Sequence, residues 1–143
     1  MAGFLFNIGA EQLVAGTTVW GTSTFRARLV TTAAGAPDKD ADVMTGIGSA
    51  QATATVAITD DQAPTKSDAR DRLEFTTTGN VTFTAAAAGI GACDRMVFYR
   101  FATNDADSIP IACVEITEVT PNGGDVTVTQ PSGATPCWFY SQQ

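Results

Sequence analysis

Three aspartates alternate in the stretch PDKDAD at residues 37–42, and Asp38, Asp40 and Asp42 form the most metal-like pattern in a chain that has no histidine. Alternating carboxylates open an EF-hand calcium loop, which also needs a glycine at its sixth position and a bidentate glutamate at its twelfth. Counted from Asp38, those positions hold Val43 and Ser49. The stretch supplies half of such a site and neither residue that closes it. It reads as an exposed acidic loop started by Pro37, and neither a metal nor any other cofactor is expected.

The other chemistry-bearing residues do not assemble into a catalytic set. Nucleophilic catalysis of the Ser-His-Asp or Cys-His kind needs a base that titrates near neutrality, and histidine is missing. The only lysines, Lys39 and Lys66, fall in polar stretches, where an ammonium keeps its charge and is a poor base. Glu115 and Glu118 in CVEITEV are candidates for a glycosidase-like carboxylate pair. Residues three apart on a strand, however, point to opposite faces. GIGACD at 89–94 lacks the Gly-Lys-Ser/Thr ending of a phosphate loop and reads as a connection. The expectation is a protein that is not an enzyme.

Trp20, Trp138, Phe139 and Tyr140 could form a sugar-binding or protein-binding platform, but residues of this size are expected to pack the core and the terminal strand. Arg26 and Arg28 share one strand face and are candidates for partner contact, because arginine is enriched at interfaces; the plainer reading is a wet strand face. Cys93, Cys113 and Cys137 are odd in number and widely spaced, which fits neither a disulfide framework nor a metal motif. They read as small buried hydrophobes, with one disulfide plus a free thiol, or a link between subunits, as the alternative.

With 8 basic against 15 acidic residues the net charge is −7, the reverse of what a nucleic-acid surface or an anionic membrane attracts. Neither is expected as a partner. No apolar run approaches a membrane span. The opening MAGFLFNIGAEQL lacks the basic leader and long apolar segment of a secretion signal, so use without secretion is expected.

The elements that must position these residues are mostly strands. GAEQLVA at 9–15 reads as a short helix with Leu13 and Val14 on its apolar side, Asn7 as cap and Gly16 as terminator. TFRARLV at 24–30 alternates Phe25, Ala27 and Leu29 with polar residues, the two-residue repeat of a strand. After a loop over 33–42, ATATVAIT at 52–59 restores alternation through Ala52, Ala54, Val56 and Ile58. DDQAPTKSDARD at 60–71 reads as a long, exposed and mobile loop or arm. RLEFTTT and NVTFTA, with Leu73, Phe75, Val81 and Phe83, read as a hairpin or a bulged strand.

RMVFYRF at 95–101 is apolar at nearly every position, the mark of a central strand covered on both faces. TNDADS at 103–108 is an acidic turn, IPIACVEI at 109–116 the strand after it, and PNGG at 121–124 a tight turn into the strand of Val126 and Val128. About eight short strands and one N-terminal helix indicate a single β-sandwich or open-barrel domain over 1–143. Residues 1–23 form its N-terminal segment.

In order, FLFNIGAEQLVAGTTVW, TFRARLVTT, the PDKDAD loop, DRLEFTTTGNVTFTA, RMVFYRF, IPIACVEI and PNGGDVTVTQPSG with a terminal WF resemble a family of small virion structural proteins of tailed bacteriophages. Each piece is short, and the order of the pieces is what carries the resemblance. It implies a head decoration or cement protein on the capsid exterior, binding the major capsid protein, often as trimers, after assembly in the host bacterial cytoplasm. Some relatives are tail or unassigned structural proteins. The Ala/Gly-rich 33–36 stretch and the three cysteines depart from the pattern.

On this resemblance PDKDAD is a loop signature, its carboxylates expected to cap the turn at Met44–Ile47. The expected partner contacts are Phe4 and Phe6 of the N-terminal segment, Arg26 and Arg28 of the strand face, and Lys66 and Arg70 of the arm. The rivals are a tail or baseplate component, a carbohydrate-binding module using Trp138, Phe139 and Tyr140, and a carboxylate-only hydrolase.

Overall fold

The computed structural model describes residues 3–21, 24–47, 55–58, 64–70, 72–132 and 137–142. These residues are mainly β, and they form a sandwich-like arrangement of antiparallel sheets that does not close into a barrel. Ten strands and one helix occur among them: β1 Gly3–Leu5, α1 Asn7–Val14, β2 Phe25–Thr31, β3 Thr55–Ile58, β4 Thr65–Ser67, β5 Arg72–Phe75, β6 Val81–Phe83, β7 Cys93–Arg100, β8 Ile109–Val119, β9 Val126–Val128 and β10 Phe139–Gln142. The large sheet runs β1-β8-β7-β2-β3, and two small sheets, β10-β5-β4 and β6-β9, complete the β structure.

The expected central strand is β7, flanked by β2 and β8. Both neighbours are buried along most of their length as well. One face of the sheet carries Phe25, Ala27, Leu29, Met96, Phe98 and Ala112 into a core completed by Trp20, Phe75, Phe83, Trp138 and Phe139. Aromatic rings set its geometry. Phe75 and Phe139 stack at 4.6 Å, and Trp20 meets Phe25, Phe98 and Phe139 at centroid distances of 4.5, 5.5 and 5.2 Å. Both indole N–H groups donate within this layer, Trp20 to the Thr76 carbonyl and Trp138 to the Thr77 hydroxyl, each at 2.9 Å. Buried rings with satisfied polar handles contribute area without a desolvation penalty.

The opposite face is also covered. Val30, Val97, Tyr99 and Cys113 pack under Phe6, Met44 and Ile47. The loop after residue 36 therefore lies over the sheet, and a single alternating strand would not need such a cover.

Several sequence expectations are corrected. Asn7 does not cap the helix: it is the first helical residue, and Phe6 precedes it in extended conformation without a side-chain cap. The Asn7 backbone N–H instead donates to the Lys39 carbonyl at 3.1 Å, and its side-chain amide donates to the Asp40 carboxylate. Val14 does not face the core; it is 86% exposed. Within the expected arm, Thr65–Ser67 is β4, paired antiparallel with β5, while 60–63 and Asp71 lie outside the described residues. The strand expected over 52–59 begins at Thr55, and Ala52, Ala54 and Thr59 lie outside them too. β5 and β6 are not a hairpin, since β5 sits between β10 and β4 and β6 pairs with β9.

Helix α1 lies against β8 through its one buried residue, Gly9. A methyl group there would come within 2.6 Å of the Ile111 carbonyl oxygen and 2.7 Å of its Cα. Both are backbone atoms, which cannot rotate aside. Gly9→Ala is thus expected to destabilise the fold by about 1–3 kcal/mol in urea unfolding, although helix propensity alone would favour alanine by about 1 kcal/mol. A stabilised variant would show that helix and strand are not in this close contact.

Candidate functional site

The residues singled out for partner contact fall into two groups on different sheets. On the large sheet, Phe4 is half-buried on β1, its ring edge-on to Phe6 at 5.2 Å. Phe6 is fully buried within the chain, so its side chain belongs to the core and not to a contact surface. Arg26 is partly exposed and lies flat against Phe101, with its guanidinium carbon 3.4 Å from the ring centroid. Such stacking holds a cation at an exposed position for about 0.5–1 kcal/mol.

Arg28 is the main correction. It is neither on a wet face nor open to a partner, being only 3% exposed. Its Nη2 donates to Asp105 Oδ1 at 2.7 Å, and its guanidinium carbon lies 5.0 Å from the Tyr99 ring centre. Nε and Nη1 are buried without a hydrogen-bond partner. Asp105 comes from the TNDADS turn, whose Asp105 and Ser108 carbonyls also accept from the Met44 N–H at 3.1 and 3.0 Å. One strand, the acidic turn and the loop over the sheet therefore meet at this ion pair.

The PDKDAD carboxylates do not cap the turn at Met44. Val43 occupies the cap position without a side-chain bond. Asp38 Oδ1 instead accepts from the Asp40 N–H at 3.0 Å, an Asx turn, and Asp40 accepts from Asn7. The loop acts as a clip between its own turn and the start of α1. Among the described residues no group of His, Cys, Asp or Glu side chains is placed to hold a metal ion.

On the small sheet, Lys66 is exposed and paired with Asp68 at 2.6 Å. Arg70 Nη1 lies 3.2 Å from Glu74 Oε1, which also accepts from Arg72 Nε at 2.9 Å, and the Arg72 guanidinium carbon sits 4.3 Å from the Tyr140 ring centre. Tyr140 is exposed, whereas Trp20, Trp138 and Phe139 are core residues. Core packing is thus as expected for three of the four rings, and the alternative aromatic platform reduces to Tyr140. Glu115 and Glu118 are both exposed at the end of β8, and Glu118 accepts from the Thr32 hydroxyl at 3.2 Å.

All three cysteines are free and buried, so no pair of them forms the disulfide held open as an alternative. Burial pushes the Cys113 thiol up to about 12, with the Arg95 charge acting against it and Glu115 and Asp94 adding to it. Cys93 and Cys137 are raised by burial as well. At neutral pH these are protonated, unreactive thiols.

No protein-family model, no curated protein and no solved structure matches the chain.

A feature the sequence did not disclose lies at the end of α1. Leu5, Ala10, Leu13, Trp20, Leu73 and Phe75 line a cavity of about 180 Å³, with Val14 and Val19 also among its walls. No helix among the described residues is long and apolar enough to cross a membrane.

Two outcomes follow from the buried charges and thiols. A buried guanidinium with unmet donors costs desolvation that apolar packing avoids, whereas removing its half-exposed partner Asp105 strands it. Arg28→Met is therefore expected within about 1 kcal/mol of the wild type, and Asp105→Ala about 2 kcal/mol less stable. Urea unfolding in a double-mutant cycle checks this, and a larger loss for Arg28→Met would reverse the assignment. For Cys113, the unfolded thiol loses its proton above its ordinary value of 9.0 while the folded one holds it to about 12. The folded state then binds more protons, so stability falls with rising pH across that window, by up to about 1.4 kcal/mol per unit. Urea midpoints from roughly pH 8 to 10.5 should drop, and Cys113→Ala should flatten part of the slope.

Proposed function

We propose that the chain is a non-enzymatic structural protein of a tailed-phage virion, a head decoration or cement protein that binds the capsid exterior and bridges neighbouring major capsid subunits. The observation that carries this reading is the ordered run of family-like motifs. Two of its more specific pieces, the N-terminal FLFNIGAEQL segment and the PDKDAD loop, are joined by the Asn7 bonds to Lys39 and Asp40.

Further support comes from the chemistry of the surface. The two lysines are exposed in polar stretches, both β8 glutamates are exposed, and the thiols are buried. A net charge of −7 suits a shell facing solvent rather than packaged DNA. Weak contacts repeated over many copies of a capsid lattice add up to firm attachment without a large single interface.

The test is to disrupt purified virions of the encoding phage, separate heads from tails on a gradient, and quantify this 14.8 kDa chain in each fraction by mass spectrometry. Hundreds of copies in the head fraction are expected. Recovery with tails alone would move the protein to the tail, and absence from both would end the virion reading.

A further inference from the structure

The cavity at the end of α1 has its polar neighbours already satisfied from within. Thr18 lines it and is buried, but its backbone N–H donates to the Gln12 carbonyl at 3.2 Å and its hydroxyl to Gln12 Oε1 at 3.4 Å. The Trp20 indole N–H is committed to the Thr76 carbonyl. The walls are mostly apolar, from Leu5, Ala10, Leu13, Leu73 and Phe75, so the cavity favours apolar volume over a polar guest. Apolar cavities of about 150 Å³ take a benzene-sized molecule. At about 180 Å³ this one fits a single bulky side chain.

The mouth adds two features. Val14 is 86% exposed and Val19 44% exposed, an apolar rim continuous with the cavity walls. Glu11, three residues before Val14 and so on an adjacent part of the helix surface, is exposed and has no ion pair among the described residues. One cation beside the cavity wall, Lys66 opposite Leu73, is paired with Asp68. The mouth is apolar with a negative flank.

A second copy of this chain suits it poorly. Two chains of charge −7 repel, and a second copy brings a net acidic surface to an acidic flank. We propose that this cavity is the docking site for one bulky aliphatic or aromatic side chain on a protein partner, with a lysine or arginine beside it that pairs with Glu11. The inference rests on the reading of the chain as a binding protein, and it names the partner surface by its chemistry.

The experiment uses dipeptide probes, so its failure is separate from that of the virion reading. Acetyl-Leu-Lys-amide is titrated into the isotopically labelled protein and backbone amide shifts are recorded. Shifts confined to residues around 10–20 and 73–75 are expected, with a Kd on the order of millimolar for a single anchored side chain. Acetyl-Leu-Glu-amide should bind about two- to fivefold more weakly. Glu11→Lys, an exposed substitution that leaves the fold intact, should reverse that preference, and Ala10→Leu should fill the cavity and abolish both sets of shifts. An absence of shifts at those residues overturns the site. Shifts indifferent to probe charge in both proteins overturn the basic flank, and concentration-dependent dimerisation through Val14 in sedimentation overturns the choice of partner.

Discussion

Burial of the large sheet on both faces is the constraint on which the other features depend. β2, β7 and β8 are covered on one side by the aromatic layer of Trp20, Phe75, Trp138 and Phe139 and on the other by Phe6, Met44 and Ile47. An antiparallel sheet ordinarily leaves one face to water. Here the second face has to be covered by a helix entry and a loop, elements with little area of their own. The close contact at Gly9, the Asn7 clip to the PDKDAD loop and the Arg28–Asp105 pair all serve to keep that thin cover in place.

The same constraint explains what could be read from the sequence. RMVFYRF announced a two-sided strand because nearly all its residues are apolar, and β7 is that strand. TFRARLV looked one-sided because arginine is polar, yet Arg28 is buried by the loop and the acidic turn. No local pattern distinguishes an arginine that will meet Asp105 from one that meets water, since the partner is far along the chain. Val14 failed for a related reason. Helical periodicity places it near Leu13 and Ala10, but whether that side is filled depends on how far the small sheet reaches. Pairing partners were equally hidden: the turn after β5 was visible, while the register of β5 with β10 depends on the far end of the chain.

For function, the scaffold separates rigidity from recognition. Its catalytically suggestive residues are engaged with the protein itself, Asp38 and Asp40 in the clip and the thiols in the core. Among the described residues, those that reach solvent include polar turns, one exposed tyrosine and the rim of an apolar cavity. On the proposed reading, such a surface serves shape-selective contact, with specificity set by side-chain volume and charge sign.

The order of strands in the large sheet also governs how the molecule can come together. Of its neighbouring strands only β7 and β8 are joined by a short connection, residues 101–108, and β7 must find β2 across the 61 residues between Thr31 and Cys93. Loop closure over such separations is entropically costly before any contact repays it. The Arg28–Asp105 pair links β2 to the very turn that closes the β7–β8 hairpin. A tie placed there joins the β7–β8 hairpin to a strand from a remote part of the chain. It acts as a topological latch, fastening the turn of a local hairpin to a strand that the chain laid down long before.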